Sequence, residues 1–355
     1  MLRLALEPYT LRFARPAATS RGALTERRVL LLRAWDTENP HLVGWGECGP
    51  LRGLSRDDIP DFVGEVAAVC GVINAGYIPT PADLAHLPSF AFGLDTALRD
   101  LAAGGTRRLW DTPFSRGEWG LPTHGLIWMD TPDGLLRQIE AKIAAGFTVI
   151  KMKVGALPLD RELVLLEAVR SAYGSDHVEL RLDANGAFDP DAALSILEQF
   201  ARFGVAFLEQ PIRAGDWPRM AKLCRQSPIP LALDEELIPV VDADTRRRLL
   251  DAIRPQHLIL KPALLGGFTA AAAWIADAEE RGIGWWTNSL LESDIGLNAI
   301  CQWTAAVGGD RVHGLGTGGL FTNNFGSPLR LAGSRLFYAK ESAWELPDLP
   351  SRRRV

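Results

Sequence analysis

The sequence predicts an α/β protein in which a (β/α)8 barrel follows a smaller α+β unit. From about residue 121, short apolar runs alternate with amphipathic stretches, and eight of these runs are strand candidates. Five of the eight end in a charged residue, and from Lys153 onward successive charges are 30, 26, 25 and 27 residues apart. This spacing equals about one strand plus one helix, so the charges mark consecutive βα units.

Length and composition are those of a globular protein and disfavour several classes of function. The 355 residues, 47% hydrophobic and 23% charged, are sufficient for one barrel and a smaller domain. The net charge of −5 gives no electrostatic basis for binding nucleic acid or an anionic membrane. The sequence has no run of about 18 apolar residues and no signal-peptide core. We therefore expect a cytoplasmic protein, and its oligomeric state stays open.

Four cysteines lie far apart in the chain and form no CxxC pair; they are Cys48, Cys70, Cys224 and Cys301. A thiolate metal site needs closely spaced pairs, so the pattern does not favour one. We expect buried free thiols in a reducing compartment.

Residues 1–119 have the pattern of the α+β unit. The segments RVLLLRAW and LVGWGEC read as strands joined by the polar turn DTENPH. Between residues 61 and 104, apolar residues recur at helical spacing, and the stretch ends at a glycine pair.

Residues 120–319 carry the barrel pattern. The eight strand candidates are LIWM, TVIKMKV, VELRLDA, VAFLEQP, PLALDE, HLILKPA, GIGWWTNS and RVHGLGT. Helical stretches separate them, and the first of these stops at Gly146. Residues 320–355 show no further βα rhythm, and we expect them to return to the N-terminal unit.

The charged residues should meet at one mouth of the barrel. Lys151 and Lys153 alternate with apolar residues, so both lysines point inward from strand 2. Asp183, Glu209 and Asp234 end the next three strands, and Lys261 ends strand 6, diametrically opposite strand 2.

Three carboxylates without a histidine or cysteine favour a hard divalent cation. Mg²⁺ is the first expectation, and Mn²⁺ could substitute for it. Lys153 and Lys261 would approach a metal-bound carboxylate substrate from opposite faces, and a neighbouring positive charge makes a lysine easier to deprotonate. A single aspartate at a strand end is usually a helix cap or turn former, but independent capping explains the whole ordered series poorly.

The segment HGLGTGG, residues 313–319, is similar to a dinucleotide fingerprint but has the wrong glycine spacing. Its backbone N–H groups could hold a carboxylate at the end of strand 8, or the segment could be a tight turn. His313 is expected to be a packed histidine or to support the site, not to act as a base.

With these residues in place, the chain resembles the enolase superfamily, in its muconate-lactonising branch. The superfamily fold is a modified (β/α)8 TIM barrel with an α+β capping domain. Within the branch, the chain is most similar to the o-succinylbenzoate synthases, dehydratases of menaquinone biosynthesis. The narrower likeness lies in TSRGALTERR, GWGECGPLRGLS, HGLIWM and HGLGTGGLFTNN.

The resemblance implies a role for each site residue. Asp183, Glu209 and Asp234 would bind Mg²⁺, Lys153 would be the general base, and Lys261 would stabilise an enediolate. Lys151 would assist Lys153 and contact the substrate carboxylate. The remaining candidates are substrate-binding residues, with the first two on a loop of the capping domain that closes over the site: Ser20, Arg21, Ser289, Gly316 and Thr317.

Other functions of the same superfamily compete with this interpretation. An N-succinylamino-acid racemase or a dipeptide epimerase would also use two lysines on opposite faces, and a cycloisomerase is a weaker rival. Dipeptide epimerases typically carry Asp-x-Asp on the last strand, where this chain has HGLGTGG. A non-catalytic barrel that serves only as a scaffold is disfavoured, because buried charges without a function would destabilise the fold.

Overall fold

The computed structural model describes residues 1–19 and 22–347, and the side chains of residues 18 and 19 are not described. The N-terminal unit is a three-stranded antiparallel sheet with two helices. Its elements are β1 (Leu2–Thr19), β2 (Gly22–Asp36), β3 (Asn39–Cys48), α1 (Phe62–Asn74) and α2 (Pro88–Ala102).

Strand β2 is apolar on both faces because both are covered. Leu30 and Leu32 pack in one cluster with residues of α1 and α2. Val29 and Leu31 point to the other face, where they share a cluster with Ile295 of the barrel. The continuous apolar run in this strand thus joins the two parts of the molecule.

Glycines let α2 lie directly on β3. A Cβ atom at Gly46 would collide with the carbonyl oxygen of Gly93, and one at Gly44 would collide with that of Ala97. The glycines of the VGWG stretch therefore allow a backbone approach that no other residue permits.

Seven parallel strands follow one another in chain order within one sheet. After the short β4 (Leu121–Pro122), the parallel strands are β5 (Gly125–Ile127), β6 (Val149–Lys153), β7 (Glu179–Asp183), β8 (Val205–Glu209), β9 (Leu231–Leu233), β10 (His257–Leu260) and β11 (Gly284–Thr287). The helices around them are α3 (Pro132–Ala144), α4 (Leu159–Ala172), α5 (Ala193–Ala201), α6 (Trp217–Gln226), α7 (Ala243–Ile253), α8 (Pro262–Leu265), α9 (Phe268–Glu279) and α10 (Asp294–Val307). The predicted α/β class and barrel architecture are confirmed.

The prediction of a regular eighth strand over RVHGLGT is wrong. The segment forms only two isolated bridges, His313 with Thr123 and Gly314 with Asn288. These bridges close the ring between β11 and the region before β5. Glycine weakens a strand because it offers no side chain to pack, and this segment is rich in glycine.

The chain after the barrel contacts both parts of the molecule. Asn323 accepts a hydrogen bond from the backbone N–H of Arg12, at 2.7 Å, and donates one to the carbonyl of Thr10, at 2.8 Å. Further on, β12 (Leu329–Ala332) and β13 (Arg335–Tyr338) form a small antiparallel sheet with β4. The four cysteines are free and buried, as predicted. None of the helices within residues 1–19 and 22–347 has the length and apolar character needed to span a membrane.

Candidate active site

The carboxyl ends of β6 to β10 bring the predicted lysines and carboxylates together. In the strand register, Lys153 lies opposite Asp183, and Asp183 lies opposite Glu209. Asp234 and Lys261 directly follow β9 and β10. The order of strands in the sheet therefore places three carboxylates between two lysine-bearing strands.

These side chains form a tight set of ion pairs. Asp183 Oδ2 lies 2.9 Å from the ammonium of Lys151 and 2.6 Å from that of Lys153. Lys151 also pairs with Glu209, and Lys261 pairs with Asp234. Burial of such charges is costly unless each has a partner, and here they neutralise one another.

Burial and neighbouring charge shift the pKa values of the set in opposite directions. Burial tends to raise the pKa of Asp183, but Lys151 and Lys153 together outweigh it and hold that pKa far below the usual range. Burial raises the pKa of Glu209, and repulsion from Asp183 adds to the rise. Burial lowers the pKa of Lys261, but the combined attraction of Asp234 and Glu209 leaves it above the usual lysine value. Lys261 is therefore an ammonium at neutral pH.

The donor set fits a hard divalent cation. Glu209 is fully buried, and its Oε1 has no hydrogen-bond partner among the described residues. An orphaned carboxylate oxygen between two further carboxylates is an arrangement that Mg²⁺ would stabilise. In the described part of the chain no three acidic, histidine or cysteine side chains are grouped closely enough to hold an ion as they stand.

The sequence reasoning missed two further polar residues of this region, Asn185 and Glu235. Asn185 Oδ1 accepts a hydrogen bond from Lys153 at 2.7 Å, and Asn185 Nδ2 donates one to Glu235 at 3.0 Å. Asn185 has a positive φ of 46°. The signal was present in the sequence, because Asn-Gly directly after a strand favours such a conformation.

A cavity of about 140 Å³ opens above these strand ends. We call one part of its wall the charged side: Lys151, Lys153, Asp183, Asn185 and Lys261. We call the part next to the barrel closure the neutral side: His124, Asn288, Ser289, Gly316 and Thr317. Apolar side chains complete the wall: Leu24, Leu51, Leu54, Leu126, Trp128, Leu290 and Leu291.

Three predicted substrate-binding residues lie on the neutral side. The hydroxyls of Ser289 and Thr317 are 2.7 Å apart, and Gly316 lies beside them along the chain. Lys151, predicted to contact the substrate carboxylate, lies on the charged side, and the last two, Ser20 and Arg21, lie outside the described residues. Their neighbour Gly22 lines the cavity, as does Arg52 from the loop after β3.

The sequence reasoning missed His124 and Asn288, since neither ends a charged series. His124 immediately precedes β5, and Asn288 immediately follows β11. His313, by contrast, is fully buried and accepts a hydrogen bond from the backbone N–H of Thr287 through Nδ1. The cavity is therefore bordered by His124, while His313 packs within the barrel wall.

A carboxylate of the N-terminal unit fixes the loop that carries the neutral side. Glu47 of β3 accepts hydrogen bonds from the backbone N–H of Ser293, at 3.0 Å, and of Gly296, at 3.3 Å, and from the Ser293 hydroxyl. These donors belong to the first turn of α10. The neighbouring Glu292 is buried and accepts a hydrogen bond from Leu290 N at 2.8 Å.

Comparison with known proteins places the chain in a family. The family described as "Enolase C-terminal domain-like" matches residues 134–335. An o-succinylbenzoate synthase from Desulfotalea psychrophila is 40% identical, over 91% of this chain and 95% of that protein. The crystal structure of MenC from Desulfotalea psychrophila has a TM-score of 0.80 and 37% identity, covering 95% of this chain and 99% of that chain. An L-Ala-D/L-Glu epimerase from Bacillus subtilis is 26% identical over 74% of both chains.

Proposed function

The chain is an enzyme of the enolase superfamily, and on that premise we propose a dehydratase function. The proposed reaction is the syn elimination of water from 2-succinyl-6-hydroxy-2,4-cyclohexadiene-1-carboxylate, which gives 2-succinylbenzoate, a step of menaquinone biosynthesis. The observation that carries the proposal is the 40% identity, over most of the chain, to an o-succinylbenzoate synthase. The lysine-lined cavity with apolar walls is consistent with a cyclic carboxylate substrate.

Lys153 is the proposed base. Its side-chain nitrogen contacts Asp183 and Asn185, and 12% of its side chain is exposed in the cavity. As a neutral amine, Lys153 would take the proton from the ring carbon that bears the carboxylate. The electron pair of that C–H bond would enter an enediolate.

The same residue can complete the elimination. The Lys153 ammonium lies on the face from which it took the proton, so it can protonate the hydroxyl of the adjacent ring carbon. The C–O bond then breaks, water leaves and the ring becomes aromatic. Lys261, held as an ammonium, would stabilise the negative charge of the enediolate, while Lys151 would contact the substrate carboxylate.

Asp183, Glu209 and Asp234 would hold Mg²⁺, and Mn²⁺ would be the expected substitute; members of the superfamily generally use Mg²⁺. When bound, the ion makes the C–H bond next to the substrate carboxylate more acidic. The chain contributes the oxygen donors, and Lys151 and Lys153 lie beside one of them, Asp183.

A racemase or epimerase function is the second candidate. It is favoured by the position of Lys261, which reaches the cavity after β10, while Lys153 reaches it from β6. The two lysines could therefore exchange protons with opposite faces of a substrate. The last barrel segment, HGLGTGG, lacks the Asp-x-Asp of dipeptide epimerases, so an N-succinylamino acid is the more serious rival substrate.

Kinetics on both substrate classes decide between the two functions. We expect kcat/KM for the cyclohexadiene to exceed that for any N-succinylamino acid by at least about 100-fold, or about 2.7 kcal/mol. The rival activity is followed in D2O by α-deuterium incorporation and optical rotation. A racemase kcat/KM equal to or above the dehydratase value would overturn the assignment.

A further inference from the structure

The neutral side of the cavity lies across the barrel from the carboxylates. His124 and Asn288 flank the closing segment, since His124 N donates to His313 O at 3.0 Å and Asn288 bridges Gly314. In an eight-membered ring that segment is opposite β8, which ends in Glu209. A ligand whose carboxylate lies at the charged side would therefore extend towards His124 and Asn288.

These two side chains are buried but have no well-formed hydrogen bonds. His124 is 5% exposed and Asn288 is 6% exposed. Neither ring nitrogen of His124, nor Oδ1 of Asn288, has a partner of ordinary geometry among the described residues, although the two side chains are adjacent. Buried polar atoms are rarely left unpaired, and here they border a cavity that a ligand can enter.

Gly314 leaves room for the pair. A Cβ atom at this position would collide with Asn288 Oδ1 and with the ring of His124. The glycine of the closing segment thus leaves the space in which the two polar side chains meet. Any larger residue at this position would displace one of the two side chains, so this part of the cavity requires glycine.

The chemistry of the neutral side selects an uncharged oxygen. Burial, followed by the positive charges of Lys151 and Arg181, holds the pKa of His124 well below its usual range, so the imidazole is neutral. A neutral imidazole offers one N–H donor, and the Asn288 Nδ2 group offers two more, whereas Asn288 Oδ1 only accepts and would not bind a ketone oxygen. The adjacent hydroxyls of Ser289 and Thr317 are uncharged as well, so a carbonyl oxygen suits this surface better than a carboxylate.

We propose that His124 and Asn288 form a neutral hydrogen-bonding subsite that binds the ketone oxygen of the acyl arm on the substrate ring. This inference rests on the proposed function, because it takes the ring carboxylate to lie at the charged side. The subsite would make the enzyme bind ring acids that carry an acyl arm more tightly than ring acids without one.

The first test changes the ligand and leaves the protein intact. With Mg²⁺ present, binding of 2-acetylbenzoate, 2-isopropenylbenzoate and benzoate to the wild-type enzyme is measured by calorimetry. The first two differ only by a carbonyl oxygen in place of a methylene group. We expect 2-acetylbenzoate to bind at least about tenfold more tightly than 2-isopropenylbenzoate, because a buried site built for hydrogen bonding rejects an analogue without the acceptor. Equal affinities would overturn the subsite.

The second test assigns the effect to the two residues. His124→Phe and Asn288→Leu should each lower the affinity for 2-acetylbenzoate by about tenfold and leave benzoate binding within about twofold. Thr304→Val is the matched control, since Thr304 Oγ1 is also buried and unpaired but does not line the cavity. Equal losses for both ligands would contradict a carbonyl subsite. His124→Asn, which remains polar, replaces His124→Phe if the latter does not fold.

The subsite and the proposed function can fail separately. If the wild-type enzyme dehydrates the cyclohexadiene but binds 2-acetylbenzoate and 2-isopropenylbenzoate equally, the function stands and the subsite is wrong. If it prefers 2-acetylbenzoate and His124→Phe abolishes that preference, but no dehydration occurs, the subsite stands and the proposed function is wrong.

Discussion

The charged and neutral sides of the cavity differ in how their polar groups are satisfied. On the charged side, Lys151, Lys153 and Lys261 already have carboxylate partners. On the neutral side, the ring nitrogens of His124 and Oδ1 of Asn288 are buried without a hydrogen bond of ordinary geometry among the described residues. The charged side therefore holds its charges in ion pairs, whereas the neutral side presents hydrogen-bonding groups to the cavity.

The difference follows from the energetics of burial. An unpaired buried charge is far more costly than an unpaired buried amide or imidazole, so buried charges pair within the protein. We therefore expect mutations on the charged side to affect chemistry and metal binding, and mutations near the neutral side to affect ligand selection and stability.

The largest effect is expected for Lys153→Ala. This change removes the base and the proton donor, so kcat should fall by at least about 10⁴-fold, the upper range for one acid–base group. Turnover of the cyclohexadiene is the measurement, with the exposed Lys222→Ala as control. Circular dichroism should show an unchanged fold. Activity within tenfold of wild type would mean that another lysine is the base.

Loss of the metal ligand set is expected to be the next largest effect. A chelator should abolish activity, and Glu209→Gln should raise the Mg²⁺ concentration for half-maximal activity by about 100-fold, because a charged oxygen donor becomes a neutral amide. The exposed Glu198→Gln serves as control. Full activity after metal removal would rule out the proposed metal site.

The charged side could be predicted from the sequence because its residues end apolar runs at a regular interval. The segments before Glu209, Asp234 and Lys261 are continuously apolar, so the charge at each end is conspicuous, as in FLE before Gln210 or LIL before Lys261, while Lys151 and Lys153 alternate with apolar residues on one face of their strand. The parallel order of β6 to β10 then follows from short βα connections, and the structure agrees.

The neutral side could not be predicted in the same way. His124 and Asn288 stand in no periodic pattern, and their proximity depends on how a glycine-rich segment closes the barrel. The irregular eighth segment was itself predicted as a regular strand. Glu47 and Ser293 are 246 positions apart, so only the packing of the N-terminal unit on α10 reveals their contact.

A moderate effect is expected where the N-terminal unit supports the neutral side. Glu47→Ala leaves the N–H groups of Ser293 and Gly296 without an acceptor, which should lower the free energy of unfolding by about 2 kcal/mol. The loop with Ser289 should also loosen, so KM should rise more than kcat falls. Urea denaturation and steady-state kinetics measure both, and Glu47→Gln, which keeps one acceptor, should lose less. Equal stability of Glu47→Ala and wild type would contradict this role.

The smallest effect concerns Glu292, buried in the loop that carries the neutral side. Burial, with repulsion from Glu47 and despite attraction from Arg27, raises its pKa from 4.5 to about 7. A raised carboxyl pKa stabilises the folded state below about pH 4.5, and this contribution is lost as the pH rises through about 7. The shift corresponds to at most about 3 kcal/mol.

Glu292→Gln should therefore equal wild type in stability near pH 4.5 and exceed it at pH 8, because the amide does not ionise. The expected gain is only about 1 kcal/mol, since the amide is a weaker acceptor for Leu290 N than the carboxylate and this offsets part of the benefit. Urea denaturation at both pH values measures the difference. Glu280→Gln, whose side chain is 72% exposed, should show no such pH dependence. If Glu292→Gln were less stable than wild type at pH 8, the ionised carboxylate would be stabilising the loop, and the neutral side would depend on a buried charge after all.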